Sequence, residues 1–138
     1  MTILKFNIEG KVKAKQSFKI GHNGFKYTPA DVKEYANWVR ICFRQKYPEH
    51  LPSIFFEKQL NVVINSYLAI PKSFSKKKQQ EAKDGLIRPT VKPDCDNIAK
   101  NINDSLNGIA FPDDKQIIRL EVNKYYGECE RTEVIIYD

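Results

Sequence analysis

The sequence predicts an α+β fold in which a mixed β-sheet is covered mainly on one face by two principal helices. Residues 3–9 alternate apolar with polar side chains, which is typical of a half-buried strand. Residues 29–46 and 97–107 instead carry apolar side chains at helical spacing, and further strand-like segments surround the second helix. The length of 138 residues is typical of one domain, so we expect a single domain over residues 1–138.

The first helix has a recognisable start. Thr28 fits the N-cap position and Pro29 the first helical position, and Asp31 completes a pattern similar to a capping box. Apolar residues then recur every three or four positions and form one stripe. These features predict a helix from residue 29 to about residue 46.

Strands are predicted on both sides of a basic segment and the second helix. Residues 58–70 form a long apolar pattern that predicts a strand. Residues 71–83 contain too few apolar side chains for a core, so we expect an exposed basic loop or a short helix. Residues 116–126 and 133–137 predict two more strands, and a hairpin at Gly127 would join them.

Composition excludes several classes of protein. Hydrophobic residues make up 41% of the chain and charged residues 29%, which is typical of a soluble globular fold. No apolar run reaches the roughly 20 residues of a membrane helix, and the first residues lack a signal-peptide pattern. We therefore expect a cytoplasmic protein with no membrane partner. Cys42, Cys95 and Cys129 are far apart, which argues against a structural zinc site and indicates reduced thiols.

Positive and negative charges are divided along the chain. Residues 1–92 contain 18 Lys and Arg against 7 Asp and Glu, a balance of +11, whereas residues 93–138 contain 5 against 10, a balance of −5. A pI near 9.2 with clustered lysines indicates a polyanionic partner, because each neutralised phosphate releases counterions. A solvated basic surface is the alternative. The lysines expected to contact phosphates are Lys11, Lys13, Lys15, Lys19, Lys72, Lys76, Lys77, Lys78 and Lys92.

The acidic segment over residues 92–108 contains the candidate chemistry. Asp94 and Asp96 are two residues apart, so in an extended segment both carboxylates leave the same side. Asp96 also fits the N-cap of a helix over residues 97–107, which Gly108 would close. The face opposite the apolar residues of that helix holds Asn97, Lys100, Asn101 and Asp104.

Two more acids, Asp113 and Asp114, lie in a turn just before the strand at residues 116–126. If that strand pairs near the segment leading to Asp94, a cluster of carboxylates forms. Converging carboxylates repel one another and favour a hard cation such as Mg²⁺, which can activate water against a phosphodiester. The same residues could instead serve as a helix cap, a turn and a surface ion pair, and that alternative stays open.

In these residues the chain resembles the RusA family of Holliday junction resolvases. The motif is Lys92-Pro93-Asp94-Cys95-Asp96-Asn97, Lys100, Asp104-Ser105-Leu106-Asn107-Gly108 and Asp113-Asp114-Lys115-Gln116. The stretches around Gly10, Tyr27-Thr28-Pro29 and Pro71-Lys72-Ser73 extend the resemblance over nearly the whole chain. The resemblance implies a RusA-like fold and a homodimeric endonuclease that nicks four-way DNA junctions. It also implies Mg²⁺ as the cofactor, with Mn²⁺ as a substitute.

The resemblance also implies roles for individual residues. Its metal-binding acids match Asp94, Asp96 and Asp114, and its essential lysine matches Lys100, so these four residues are the expected catalytic set. Residues expected in supporting roles are Asp104, Asp113 and Asn97. In the basic stretch of residues 15–19, lysine, glutamine and serine stand where many relatives have arginines around a proline. Because arginine binds phosphate bidentately and lysine does not, this difference concerns DNA binding rather than catalysis.

The function implied by the resemblance is resolution of Holliday junctions by paired symmetric nicks, made with metal-activated water. A different class of function fits the basic half equally well, namely a non-catalytic protein of a mobile element that binds branched DNA. A metal-dependent phosphohydrolase acting on flaps or small phosphate esters is a third possibility. For a homodimer interface, the sequence offers Trp38 and Phe55-Phe56 as candidates.

Overall fold

The structure is a computed structural model that describes residues 1–13, 19–20, 26–27 and 30–138. Its helices and strands, in chain order, are β1 (Ile3–Glu9), β2 (Lys19–Ile20), β3 (Lys26–Tyr27), α1 (Ala30–Lys46), β4 (Leu60–Ala69), α2 (Lys76–Lys83), α3 (Cys95–Leu106), β5 (Ile117–Gly127) and β6 (Arg131–Tyr137). Short 3₁₀ turns at Pro52–Phe55 and Asp114–Gln116 precede β4 and β5. In the described part of the chain, no helix is long and apolar enough to span a membrane.

A four-stranded mixed sheet with the order β1-β6-β4-β5 forms the frame of the molecule, and β2 and β3 pair separately. β6 pairs antiparallel with both β1 and β4, whereas β5 pairs parallel with β4. Parallel neighbours need a long crossover, and here the connection contains α2 and α3. β5 is the last strand in the order of this sheet, and α3, at the end of the crossover, lies beside it.

The core lies between one face of the sheet and the helices α1 and α3. Alternate residues of β1, β4 and β6 are buried against apolar residues of both helices, which follows from the period-2 and helical patterns in the sequence. Fully buried members include Ile8, Phe43, Ile64, Ile98, Ile102 and Ile136. The predicted α+β class, with a mixed sheet covered on one face by two principal helices, is confirmed.

Most predicted elements are confirmed, with small shifts at their ends. The strand expected over residues 58–70 is β4, and the helix expected over residues 29–46 is α1. Its proposed cap residues, Thr28 and Pro29, lie outside the described residues. The basic segment contains the short helix α2, which begins after Ser75 because the Ser75 hydroxyl accepts a hydrogen bond from the Lys78 N–H at 3.2 Å.

The predicted hairpin at Gly127 is wrong. Both strands exist, but β4 lies between β5 and β6 in the sheet. The burial of the two strands explains this order. Val134 and Ile136 of β6 are fully buried and require a central position under the helices, whereas β5 exposes Ile118 and Leu120 and suits the edge.

Candidate functional site

Asp94 and Asp96 lie at the start of α3. The N-cap is Asp94 and not Asp96, because the Asp94 carbonyl accepts the first helical hydrogen bond, from the Ile98 N–H at 3.0 Å. The Asp94 side chain makes no capping hydrogen bond, and Asp96 lies in the first turn of the helix. Both carboxylates are exposed, at a helix end whose free N–H groups favour anions.

Residues 88–93, which we call the approach segment, lead to Asp94 and are held by the carboxyl end of β5. The Lys124 ammonium donates to the carbonyl of Pro93 at 2.9 Å and also to that of Val91. In the opposite direction, the Arg88 Nε donates to the Lys124 carbonyl at 2.8 Å. The Arg88 guanidinium lies over the Tyr125 ring, 4.3 Å from its centroid. These contacts fix the position from which α3 begins.

Lys124 was not predicted as a site residue. It shares the helix-facing side of β5 with Val122, since these residues pair with Ser66 and Ile64 of β4, which are buried on that side. In the sequence, Lys124 alternates with Val122 on the side of the strand that faces the core. This pattern could have indicated its role, because a lysine on that side needs hydrogen-bond partners within the protein.

A cleft of about 420 Å³ opens beside the start of α3. Three lysines line it, together with two acids, an asparagine and two apolar residues: Lys11, Lys13, Lys92, Asp31, Asp94, Asn97, Val12 and Pro93. The structure therefore brings three of the predicted phosphate-contacting lysines to Asp94 and to the predicted supporting residue Asn97. A helix N-terminus with lysines around it is a favourable place for a phosphate.

Asn101 holds the basic segment against α3. The sequence places it on the polar face of the helix, but the structure buries it, and its side-chain amide donates to the Lys13 carbonyl at 2.9 Å. Lys100, the predicted catalytic lysine, is exposed one turn beyond Asp96. Asn101 is thus a structural contact between the helix of the candidate site and the lysine-lined cleft.

The remaining described lysines of the predicted set lie on or just before α2. Lys72, Lys76, Lys77 and Lys78 are exposed, and Lys78 stacks on the ring of Phe74 at 4.1 Å. Phe74 in turn packs edge-on against Tyr126, near the end of β5, so α2 lies at the same end of the molecule as the approach segment. Lys15 lies outside the described residues, and Lys19 is described only as part of the backbone of β2.

Asp104, Asp113 and Asp114 lie at the other end of α3. Asp113 caps the 3₁₀ turn, since its carboxylate accepts a hydrogen bond from the Lys115 N–H at 2.9 Å, and this bond lowers the pKa of Asp113. Partial burial raises the pKa of Asp114, and the neighbouring carboxyl groups of Asp113 and Asp104 raise it further. Asp114 therefore lies close to two other carboxyl groups, one from the end of α3 and one from the 3₁₀ turn that contains Asp114.

The two groups of acids are well separated within one chain. From Asp94 to Asp104 the helix rises about 15 Å at 1.5 Å per residue. The approach segment is not a strand and contacts β5 near Lys124, whereas Asp114 precedes the start of β5. The pairing expected to gather the acids is therefore absent. In the described part of the chain, no three His, Cys, Asp or Glu side chains are close enough to share a metal ion.

The proposed interface residues have different environments. Phe55 is fully buried in the core, so its prediction as an interface residue is wrong. Its neighbour Phe56 is exposed. Trp38 is partly exposed and its indole N–H donates to the Glu9 carbonyl at 2.8 Å, which fixes the ring against the end of β1.

Comparison with known proteins identifies the family. The family model described as Endodeoxyribonuclease RusA matches residues 9–137. The chain is also 38% identical over 110 residues to the uncharacterized protein YqaN of Bacillus subtilis (strain 168), a match that covers 78% of this chain and 75% of that protein. Because the family match extends over nearly the whole chain, and the motif of residues 92–116 lies within it, this protein belongs to the RusA endodeoxyribonuclease family.

Proposed function

We propose that the protein is a Mg²⁺-dependent endonuclease that nicks four-way DNA junctions. Membership of the endodeoxyribonuclease family supports DNA cleavage as the reaction. The observation that best supports the proposal is the start of α3, where two exposed carboxylates adjoin a lysine-lined cleft. A phosphodiester bound in this cleft would lie next to Asp94, with Asp96 in the adjoining first turn of α3.

The proposed metal ligands are Asp94, Asp96 and Asp114. Their donors are carboxylate oxygens, which Mg²⁺ and Mn²⁺ both accept. The raised pKa of Asp114 supports this role, because a divalent cation would remove the repulsion that neighbouring carboxylates exert on it. When bound, such an ion polarises a phosphoryl oxygen and lowers the pKa of water.

The other proposed site residues would contact the phosphate or support the metal-binding acids. Lys100, one turn from Asp96, would stabilise the negative charge that develops on the phosphate during attack. Asn97 lines the cleft and can donate to a phosphate oxygen. Asp104 and Asp113 have supporting roles, since Asp104 adds negative charge near Asp114 and Asp113 caps the turn that presents it.

DNA affinity would come mainly from the lysines. Lys11, Lys13 and Lys92 would neutralise phosphates next to the cleavage site, while the exposed lysines before and on α2 would contact the backbone further away. Lys15 and Lys19, which the sequence predicts as phosphate contacts, complete the proposed set of DNA-binding lysines. Two symmetric nicks in a four-way junction need two sites related by a two-fold axis, so we propose a homodimer. A DNA substrate implies a cytoplasmic location.

The experiment that tests this function compares labelled substrates. A four-way junction, a linear duplex and a flap of matched length are incubated with the protein in Mg²⁺, in Mn²⁺ and in EDTA. We expect symmetric nicks in the junction with either metal and intact strands in EDTA. A shifted junction with every strand intact in Mg²⁺ would instead identify a non-catalytic binder of branched DNA. Equal cleavage of all three substrates would instead identify a phosphohydrolase without a preference for junctions.

A further inference from the structure

A second cavity, of about 370 Å³, adjoins the approach segment. It lies between the ends of β4 and β5, the start of α2 and the approach segment, and its wall is mostly apolar. The apolar lining includes Leu68, Phe74, Ile87, Val91 and Tyr126. Cavities that bind small ligands have volumes of roughly 300–1,000 Å³, so this one suits a single planar ring system rather than a length of peptide.

Contacts within the chain hold the walls of this cavity in place. Phe74 packs edge-on against Tyr126, with 5.7 Å between the ring centroids. The Phe74 carbonyl accepts a hydrogen bond from the side-chain amide of Gln79 at 2.9 Å, which ties the aromatic wall to α2. On the approach segment, Lys124 donates to the Val91 carbonyl. Because the cavity is already formed in the free protein, a ligand does not have to order it.

Positive charge adjoins this apolar cavity. Lys78 and Arg88 belong to its lining, both are exposed, and the described lining contains neither Asp nor Glu. Lys78 lies over the Phe74 ring, 4.1 Å from its centroid, and so is held beside the cavity. An apolar cavity with cations beside it fits a ligand that joins an uncharged ring to an anionic group. A nucleotide has this combination in its base and its phosphate.

The cavity is also close to the proposed catalytic acids. Val91 is three residues before Asp94, and three residues of extended chain span at most about 11 Å. This distance corresponds to about three base steps of 3.4 Å along one strand of DNA. A base in the cavity would therefore belong to a nucleotide about three positions or fewer from a phosphate held at Asp94.

A base inside a continuous duplex does not reach such a cavity, because both of its faces are stacked and its edge is paired. Taking a base out of the stack costs free energy, and the cost is lowest where pairing or stacking is already weakened. In a four-way junction the strands exchange partners at the branch point, and continuous stacking is interrupted there. The branch point therefore supplies the bases that are easiest to unstack.

We propose that this cavity binds one unpaired base of the junction, packed against Phe74 and Tyr126, while Lys78 and Arg88 neutralise the phosphates beside it. This inference rests on the proposed function and deepens it, because it identifies a part of the substrate that is recognised besides its phosphates. Phosphate contacts carry no information about the base at a given position. The cavity makes binding depend on one base near the branch point.

Removal of single bases tests this contact. An abasic site is placed in turn at each of four positions on either side of the branch point, together with its symmetry-related position. Binding is measured by fluorescence anisotropy in EDTA. At one position, base removal should weaken binding to wild type by about 5- to 150-fold, the factor that corresponds to stacking of one base on an aromatic side chain. Phe74→Ala should bind the intact and the abasic junction almost equally.

A matched pair of variants keeps Phe74 and its contacts with α2. Val91→Glu places a carboxylate at the cavity, whereas Leu86→Glu adds the same charge at an exposed apolar residue of the same connection that does not line the cavity. Val91→Glu should lose the dependence on the base, and Leu86→Glu should keep it. The added charge acts on intact and abasic junctions alike, so it cancels in the ratio of the two affinities.

A mismatch at the same position gives a readout of the opposite sign. Changing only the opposite base leaves the bound base unaltered and removes the cost of unpairing it. Wild type and Leu86→Glu should then bind at least about fivefold more tightly, whereas Val91→Glu should gain nothing. A side chain that only stabilises α2 would not make base removal and mismatch act in opposite directions.

Two results would overturn the inference. In the first, base removal has the same effect on wild type and Val91→Glu at every position. In the second, Val91→Glu and Leu86→Glu lose the dependence on the base equally. A wild type that shows this dependence but leaves every strand intact in Mg²⁺ would reject the proposed cleavage and keep the assignment of the cavity.

Discussion

Replacing Lys124 with methionine tests how the site is held in place. The substitution removes the ammonium that donates to the carbonyls of Val91 and Pro93 and keeps most of the apolar side chain. Hydrogen bonds from a charged donor contribute about 1.5–3 kcal/mol each when buried. Since these two carbonyls are partly exposed to water, we expect a loss of about 1–2 kcal/mol for the pair. A loss of that size increases opening of the approach segment about 5- to 30-fold.

Hydrogen exchange measures this opening directly. The Ile98 amide donates to the Asp94 carbonyl in the first turn of α3 and should exchange about 5- to 30-fold faster in the Lys124→Met variant. The amide of Ile64, in the central strand β4, should be unchanged. Lys124→Arg keeps a cationic donor and should have a smaller effect on this exchange rate. Lys33→Met is the control for the loss of one positive charge, because Lys33 is exposed on α1. If exchange at Ile98 is the same in Lys124→Met and wild type, Lys124 does not hold the approach segment.

Three further predictions concern other contacts of the site. Asn101→Ala should lower the free energy of unfolding by about 1–3 kcal/mol and weaken junction binding, because the Lys13 carbonyl loses the hydrogen bond from the Asn101 amide. Denaturant titration measures the first effect and gel shift the second. An unchanged denaturant midpoint would contradict the structural role of Asn101. Asp114→Asn should stabilise the metal-free protein near pH 7. Because the pKa of Asp114 is raised, the contribution of this side chain to native stability falls as pH rises above its ordinary pKa of 3.8. The stability difference between variant and wild type should therefore grow from pH 4 upward, and a difference that does not change with pH would refute this. Replacing the three lysines of residues 76–78 with glutamine should reduce the salt dependence of junction binding by up to about 2.7 logarithmic units per tenfold salt, and an unchanged slope would exclude these lysines from the interface.

Periodicity predicted the elements of this fold but not the order of its strands. The alternation in β6 and the apolar stripe of α1 are local patterns, so each specifies an element and its buried face. A strand pattern does not specify which strand is its neighbour. The hairpin prediction failed for this reason, since short connections favour adjacent strands, yet the buried residues of β6 require the place between β1 and β4.

The candidate site was predicted as a set of residues and not as an arrangement. The motif predicted Asp94, Asp96 and Asp114, but their separation depends on the direction of β5. This strand runs parallel to β4, and its end lies near the start of α3 while its start lies near the end of α3. No local pattern contains that information. Lys124 and Asn101 were missed for a related reason, because their importance comes from contacts with backbone carbonyls that are 31 and 88 residues away in the chain.

Single-turnover cleavage of a four-way junction by wild type and Asp94→Asn tests the central claim most directly. Protein is held in excess, so that every junction is bound, and strand cleavage is followed after addition of Mg²⁺. We expect wild type to nick the junction and Asp94→Asn to bind it with similar affinity while leaving every strand intact. Cleavage by Asp94→Asn at the wild-type rate would contradict the assignment of catalysis to the start of α3.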